Sequence, residues 1–287
     1  MSDKFCTGQV CIVTGANSGI GYHTAKGLAE MGATVVMVVR NMDKGEKAME
    51  EIKLATGASS VYLMHCDVSD MSSVDRFSNA FKERFMCLNV LINNAGAAFS
   101  KRQETEAGYE KTIATNYLGM FKLTNNLLPM LKDTVPSRII NISSGMHKTG
   151  KIDFDDIMME KKYSSMKQYA NSKLIVTTYT YALARRLAGT GVTANVVEPG
   201  FVATNLGSNM GGLRDRIAFT IVRPIQISAE KGAETSIWAA MVPEIEGISG
   251  KTFAKKKETE SRDITYDEDV QDKLWDWTLK TLREHPN

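Results

Sequence analysis

The chain has 287 residues, 43% of them apolar, with 35 basic side chains against 33 acidic ones. That length and apolar share suffice for one large core in a single α/β unit. A net charge of +2 argues neither for a nucleic-acid surface nor for an acidic partner, and no nucleic acid is expected to bind. Cys6, Cys11, Cys66 and Cys87 form no CxxC pair and read as reduced, mostly buried thiols of a reducing compartment. His23, His65, His147 and His285 show no ligand spacing, so no metal site is expected. The N-terminus shows neither a long apolar run nor a cleavage-site pattern, and no integral membrane segment is seen, so a cytoplasmic or membrane-peripheral location is expected.

In chain order, a short apolar run from Val10 to Thr14 is broken by Gly-Ala-Asn-Ser-Gly-Ile-Gly. A helical pattern then runs from Tyr22 to Met31, and a second apolar run from Thr34 to Val39. This is a strand, a glycine-rich turn, a helix and a strand. Further strands are predicted at Val61–Cys66, Val90–Asn93, Arg138–Ile142, Thr193–Val197 and near Lys251–Ala254. Helices are predicted at Lys44–Ala55, Ser72–Phe85, Tyr109–Lys132, Ser164–Ala188 and Glu230–Met241. The alternation predicts a doubly wound, mostly parallel sheet of about seven strands flanked by helices, in one domain. Two segments break the rhythm, 145–163 and about 201–228. Long excursions at the carboxyl ends of strands are where such folds build substrate pockets and lids. The last predicted helix, about 266–284, carries Val270, Leu274, Trp277 and Leu282 at helical spacing and is expected to pack back on the domain or on a partner subunit.

Three places in this pattern carry chemistry. Gly15, Gly19 and Gly21 follow a predicted strand and open a predicted helix. With Asn17, Ser18 and Ile20 they form a variant of the dinucleotide turn, in which backbone N–H groups approach a pyrophosphate. At the end of the second strand, where ribose specificity is set, stand Arg40 and Asn41, with no carboxylate before Asp43. A guanidinium there favours the 2′-phosphate of NADP(H) over NAD(H). Tyr169 and Lys173, four apart on one helix, share a face. A phenol titrates near pKa 10, and acid–base work at neutral pH asks for roughly 3 units less. A cation about 4 Å away supplies that at an effective dielectric of about 20, so the lysine is expected to acidify the tyrosine.

Together, Thr14-Gly-Ala-Asn-Ser-Gly-Ile-Gly21, Asp67-Val68, Asn93-Asn94-Ala95-Gly96, Asn116, Ile142-Ser143-Ser144, Tyr169-x-x-x-Lys173 and Pro199-Gly200-x-x-x-Thr204 resemble the short-chain dehydrogenase/reductase family. The long Ser144-to-Tyr169 spacing, Gly150-Lys-Ile-Asp-Phe-Asp-Asp156, Ala184-Arg-Arg-Leu187 and Val192-Thr-Ala-Asn-Val-Val-Glu-Pro-Gly200 are similar to its retinol dehydrogenase-like and polyprenol dehydrogenase-like branch. The resemblance implies that Tyr169 exchanges the proton and that Lys173 lowers its pKa and holds the nicotinamide ribose. It implies that Ser144, rather than Ser143, bonds the substrate oxygen, and that Asn116 holds a water linking Lys173 to solvent. Asp67 and Val68 would meet the adenine, Asn94, Ala95 and Gly96 would line the cleft, and Pro199, Gly200, Val202 and Thr204 would shape the nicotinamide site.

The same resemblance implies an NADP(H)-dependent oxidoreductase for a small lipophilic alcohol or carbonyl such as a retinoid, acting as a homodimer or homotetramer. The alternative class is a catalytically silent NADP-binding regulatory or interaction protein on the same fold. Two departures stand out: no N-terminal apolar anchor of the membrane-bound relatives is seen, and Glu198 replaces the His or Asp more usual in the branch.

Overall fold

A computed structural model describes residues 8–202 and 227–284. Eight strands form one sheet: β1 (Val10–Thr14), β2 (Thr34–Val39), β3 (Val61–His65), β4 (Val90–Asn93), β5 (Ser137–Ile142), β6 (Val192–Glu198), β7 (Thr252–Ala254) and β8 (Lys257–Thr259). Their order is β3-β2-β1-β4-β5-β6-β7-β8, parallel up to β7 and antiparallel between β7 and β8. The central strands are apolar at nearly every position and buried on both faces, as in Val-Cys-Ile-Val-Thr and Thr-Val-Val-Met-Val-Val. Parallel strands covered on both sides require this composition.

The eighth strand departs from the expectation of about seven. It is a three-residue edge strand of Lys, Glu and Thr, with no apolar signal to reveal it. Its turn places Lys255 and Lys256 at φ 51° and 61°, without the Gly or Asn that normally marks a hairpin.

Helices α1 (Gly19–Glu30), α2 (Met42–Thr56) and α7 (Ala229–Met241) lie on one face; α3 (Met71–Arg84), α4 (Lys111–Ile113), α5 (Gly119–Asp133), α6 (Ser165–Arg186) and α8 (Glu268–Glu284) lie on the other. The core is correspondingly in two layers. Leu28, Val35, Ile140, Ala239 and Phe253 belong to the first, and Val36, Phe81, Leu127, Ile139 and Tyr179 to the second. The helix expected over Tyr109–Lys132 is instead interrupted: a π-helical turn at Ala114–Leu118 separates α4 from α5. Such turns carry one extra residue and re-aim side chains, often at functional sites.

The last helix does pack back on the chain. Trp275 stacks on Tyr179 with ring centroids 5.8 Å apart, Arg186 lies 4.3 Å over the Trp275 ring, and Leu274 is buried.

The 145–163 segment is a 3-10 turn (Gly145–Thr149) followed by irregular chain. It is held where Gln168 Nε2 donates to both Glu110 Oε2 and the Ile157 carbonyl, each at 3.0 Å. Most of the other irregular segment, together with Thr204, lies outside the described residues. Cys11 and Cys66 are buried free thiols, as expected. Cys87 is buried but disulfide-bonded, which corrects the expectation that all four thiols are reduced.

Candidate active site

Strand order reverses between β1 and β4, and the crevice at their carboxyl ends is the site this topology favours for a ligand. There the Thr14 hydroxyl accepts from the backbone N–H of Asn94 and Ala95, both at 2.9 Å. The Asn94 amide donates to the Thr14 carbonyl at 2.8 Å, so the two strand ends are cross-braced. The turn after β1 needs its glycines. Gly15 sits at φ 66°, and a Cβ on Gly21 would stand 2.4 Å from the Gly15 carbonyl oxygen and 2.5 Å from Asn94 Nδ2. The bare backbone lets α1 begin directly over the crevice.

A cavity of about 520 Å³ opens from this point. It gathers most of the residues expected to bind a cofactor: Gly15, Asn17, Ser18, Gly19, Ile20 and Gly21 from the turn, Arg40 and Asn41 from β2, Asp67 and Val68 from the end of β3, Asn94, Ala95 and Gly96 from β4. Tyr169, Lys173 and Pro199 close its far end. Gly200 and Val202 lie beyond this lining. Val202 pairs with Ile227 in an isolated bridge.

Lys44 also lines the cavity and was missed by sequence reasoning. It stands in the first turn of α2, where Asn41 Oδ1 accepts its backbone N–H at 2.8 Å. Helical spacing from Arg40 was the available signal. A larger concavity of about 700 Å³ lies elsewhere, near Tyr181, Arg185 and Tyr266, and contains none of these residues.

The cavity fits a dinucleotide. Ser18 begins α1 in extended conformation without a side-chain cap, so the first N–H groups of that helix face the space between the glycines. Arg40 and Lys44 stand at one end, with no carboxylate on β2 to oppose a phosphate. Arg40 instead lies 3.6 Å from Asp67 Oδ2, while Asp67 Oδ1 accepts from the N–H and hydroxyl of Ser69.

At the other end, the two serines after β5 are told apart by their bonds. Ser143 is buried, with its hydroxyl donating to the Lys173 carbonyl at 3.0 Å and lying 3.0 Å from Thr177 Oγ1. Ser144 instead is half-buried: its Oγ accepts from the Met146 N–H at 3.3 Å, and it lies beside the Tyr169 hydroxyl, close enough to lower its pKa. Lys173 is buried, and its Nζ donates to the Ile142 carbonyl at 2.8 Å and lies 5.6 Å from the Tyr169 ring centroid.

Asn116, on the π-helical turn, donates to the Ala97 carbonyl and Ser172 Oγ and accepts from the Ala97 N–H. Both of its N–H bonds are therefore engaged in tying the β4 loop to α6. Its Oδ1 and Lys173 Nζ nevertheless border one space, 3.5 and 3.4 Å from where a Cβ on Gly96 would stand.

The electrostatics correct one expectation. Tyr169 is not acidified in this structure: burial pushes its hydroxyl up to about 12, and the neighbouring Ser144 only partly offsets that. Burial also pushes Lys173 down to about 8. Each shift is roughly 3 kcal/mol against the charged form. Desolvation acts on both groups at once and outweighs the favourable pairing.

A family model for short chain dehydrogenases matches residues 9–212. The chain is 38% identical over 274 residues to human polyprenol dehydrogenase, covering 93% of this chain and 83% of that protein. It is 40% identical over 281 residues to mouse retinol dehydrogenase 14, covering 94% and 84% respectively. Among solved structures, an uncharacterized protein from Mycobacterium Paratuberculosis superposes with a TM-score of 0.77 at 31% identity, over 99% of this chain and 97% of that one.

Proposed function

The chain belongs to the short chain dehydrogenase family of oxidoreductases, and from that premise we propose that it interconverts an alcohol and an aldehyde or ketone with NADP(H), using Tyr169 as general acid and base. The observation that carries this reading is that buried Tyr169 and Lys173 stand together at the far end of the cleft that begins at the glycine turn, with Ser144 beside the tyrosine. When bound, the nicotinamide supplies or accepts the hydride.

The protein's own groups handle the proton. In reduction the Tyr169 hydroxyl gives its proton to the carbonyl oxygen while the Ser144 hydroxyl donates to the same oxygen. In oxidation Tyr169 takes the proton back. Lys173 supplies positive charge beside the phenol and bonds the nicotinamide ribose, and water held between Lys173 and Asn116 Oδ1 resupplies the proton. Because burial holds Tyr169 near 12, it rests as the acid, the form that reduction needs.

Arg40 and Lys44 favour the 2′-phosphate of NADP(H), and a cellular excess of the reduced form tilts the reaction toward reduction. Relatives named for retinol and polyprenol point to a lipophilic substrate. No helix among the described residues is long and apolar enough to cross a membrane, which fits a substrate met in solution or at a membrane surface. Residues 201–228 would form the substrate wall of the same domain, and the working unit would be a homodimer or homotetramer.

The test is turnover by the purified chain, followed by NADPH absorbance, over retinal, a polyprenal and simple aldehydes and ketones. Retained rate in Tyr169→Phe, or no turnover by the wild type on any carbonyl with either NADPH or NADH, would sink the proposal.

A further inference from the structure

Beside the reacting groups lies a buried pair that the chemistry above leaves unused. His147, on the 3-10 turn after β5, is wholly buried, and Glu198, the last residue of β6, is 8% exposed. His147 Nδ1 is 2.9 Å from the Ser144 carbonyl oxygen and 3.0 Å from Glu198 Oε1. Both neighbours are acceptors, so Nδ1 must carry a proton. The backbone N–H of His147 donates to the same Ser144 carbonyl at 2.9 Å. One residue thus grips the serine's backbone twice, while the serine's Oγ accepts from the Met146 N–H at 3.3 Å and lies beside Tyr169. The result is a run of close contacts, Glu198–His147–Ser144, from the end of β6 to the serine beside Tyr169.

The pair is poorly suited to stability alone. His147 Nε2 is buried without a hydrogen-bond partner among the described residues, and Glu198 Oε1 has the ion-pair contact but no well-aligned donor. A buried polar atom left unsatisfied destabilises a fold, whereas an apolar pair of similar volume would not. Its location suits positioning better. Ser143 N–H bonds the Val197 carbonyl at 2.9 Å, so β5 and β6 reach the cleft side by side. Glu198 then precedes Pro199 in the cleft lining as Ser144 follows Ser143. The Ser144 Oγ has one long bond of its own, from the Met146 N–H at 3.3 Å, so its place depends on its backbone, and small misplacements at a reacting centre slow catalysis strongly.

We propose that Glu198 and His147 are positioning residues: Glu198 favours the Nδ1–H tautomer of His147, and His147 clamps the Ser144 backbone so that its hydroxyl keeps its place beside Tyr169. The inference rests on the Tyr169 chemistry proposed above, and its test separates the two.

Nitrogen-15 NMR of the full chain, with the His147 signal assigned by its loss in His147→Asn, should show an Nδ1–H imidazole that loses its single-tautomer pattern in Glu198→Ala. In turnover, His147→Ala should lower kcat by about 10- to 100-fold while the KM values for NADPH and carbonyl move less than about 3-fold. His147→Asn, whose amide N–H can reach the Ser144 carbonyl, should recover to within about 5-fold of wild type. Glu198→Gln, nearly isosteric, should fall between them and keeps the test usable if His147→Ala does not fold.

An Nε2–H tautomer in the wild type overturns the proposal. So does an Asn variant as slow as the Ala variant, or a change in KM with kcat preserved. If the wild type turns over no carbonyl, the function proposed above fails, and the tautomer measurement still decides whether the clamp exists.

Discussion

At the end of the cleft formed by β2 and the start of α1, the polar groups are backbone N–H bonds and exposed side chains. Arg40, for example, has a side chain 65% exposed. At the end formed by β5, α6 and the π-helical turn they are buried side chains bonded to backbone and to one another: Ser143 to the Lys173 carbonyl and Thr177, Lys173 to the Ile142 carbonyl, Asn116 to Ala97 and Ser172. The first end offers a surface of fixed shape and positive potential, which suits recognition. The second holds charge and proton under desolvation, where a single group shifts by roughly 3 kcal/mol. In the proposed reading binding and chemistry are therefore physically separated along one cavity, and variants at the two ends should fail in different ways.

The largest effect is expected at the buried end. Tyr169→Phe removes the proton donor and should lower kcat by about 10³-fold with NADPH affinity little changed. A comparable loss of NADPH affinity would break the separation.

Next is Lys173→Met. Lys173 has its proton in both folded and unfolded states below about 8, where burying the charge opposes folding. Between about 8 and its ordinary 10.5 the unfolded chain holds more protons, so this group makes stability rise with pH. Tyr169 has the opposite sign. The folded protein keeps its proton between 10 and about 12, so its contribution to stability is lost as pH rises through that range. Chemical denaturation from pH 7 to 10 should therefore show Lys173→Met more stable than wild type by about 2 kcal/mol at pH 7, allowing for the lost bond to Ile142, with the difference shrinking above pH 8.

Gly21→Ala tests the recognition end. Its Cβ would meet the Gly15 carbonyl at 2.4 Å, a backbone atom with little room to move. NADPH dissociation constants, read by fluorescence titration, should rise by about 10-fold or more, with kcat at saturation affected less.

The smallest effect is expected for Arg40→Gln. KM for NADPH should rise by about 10-fold and KM for NADH stay within about 2-fold, with the difference narrowing at high salt because the group is exposed. Equal changes for both cofactors would remove Arg40 from 2′-phosphate recognition.

The two ends were also unequally legible in the sequence. Gly15, Gly19, Gly21 and Arg40 occupy short contiguous stretches whose meaning depends on the strand and helix beside them, and all four line the cleft. At the buried end the side chains were identifiable but their state was not. The Ser144 role is implied only by resemblance; the fold adds that the Ser143 hydroxyl is engaged with Lys173 and Thr177. The expected acidification of Tyr169 counted one favourable charge and could not count the solvent removed by α6 and the β4 loop. Lys44 was one helical turn from Arg40 and still missed, because its relevance depends on where α2 starts.

The sequence by itself determined the alternation of elements, seven of the eight strands, the glycine turn and most of the residues that line the cleft. Periodicity, β-branched runs and positive-φ positions are local properties written into neighbouring residues. Only the tertiary structure decided which serine faces Tyr169, that the tyrosine and lysine are pushed toward neutrality together, and that His147 meets Glu198. Those outcomes depend on burial and on hydrogen bonds between residues tens of positions apart, and desolvation is set by the assembled fold rather than by any one segment.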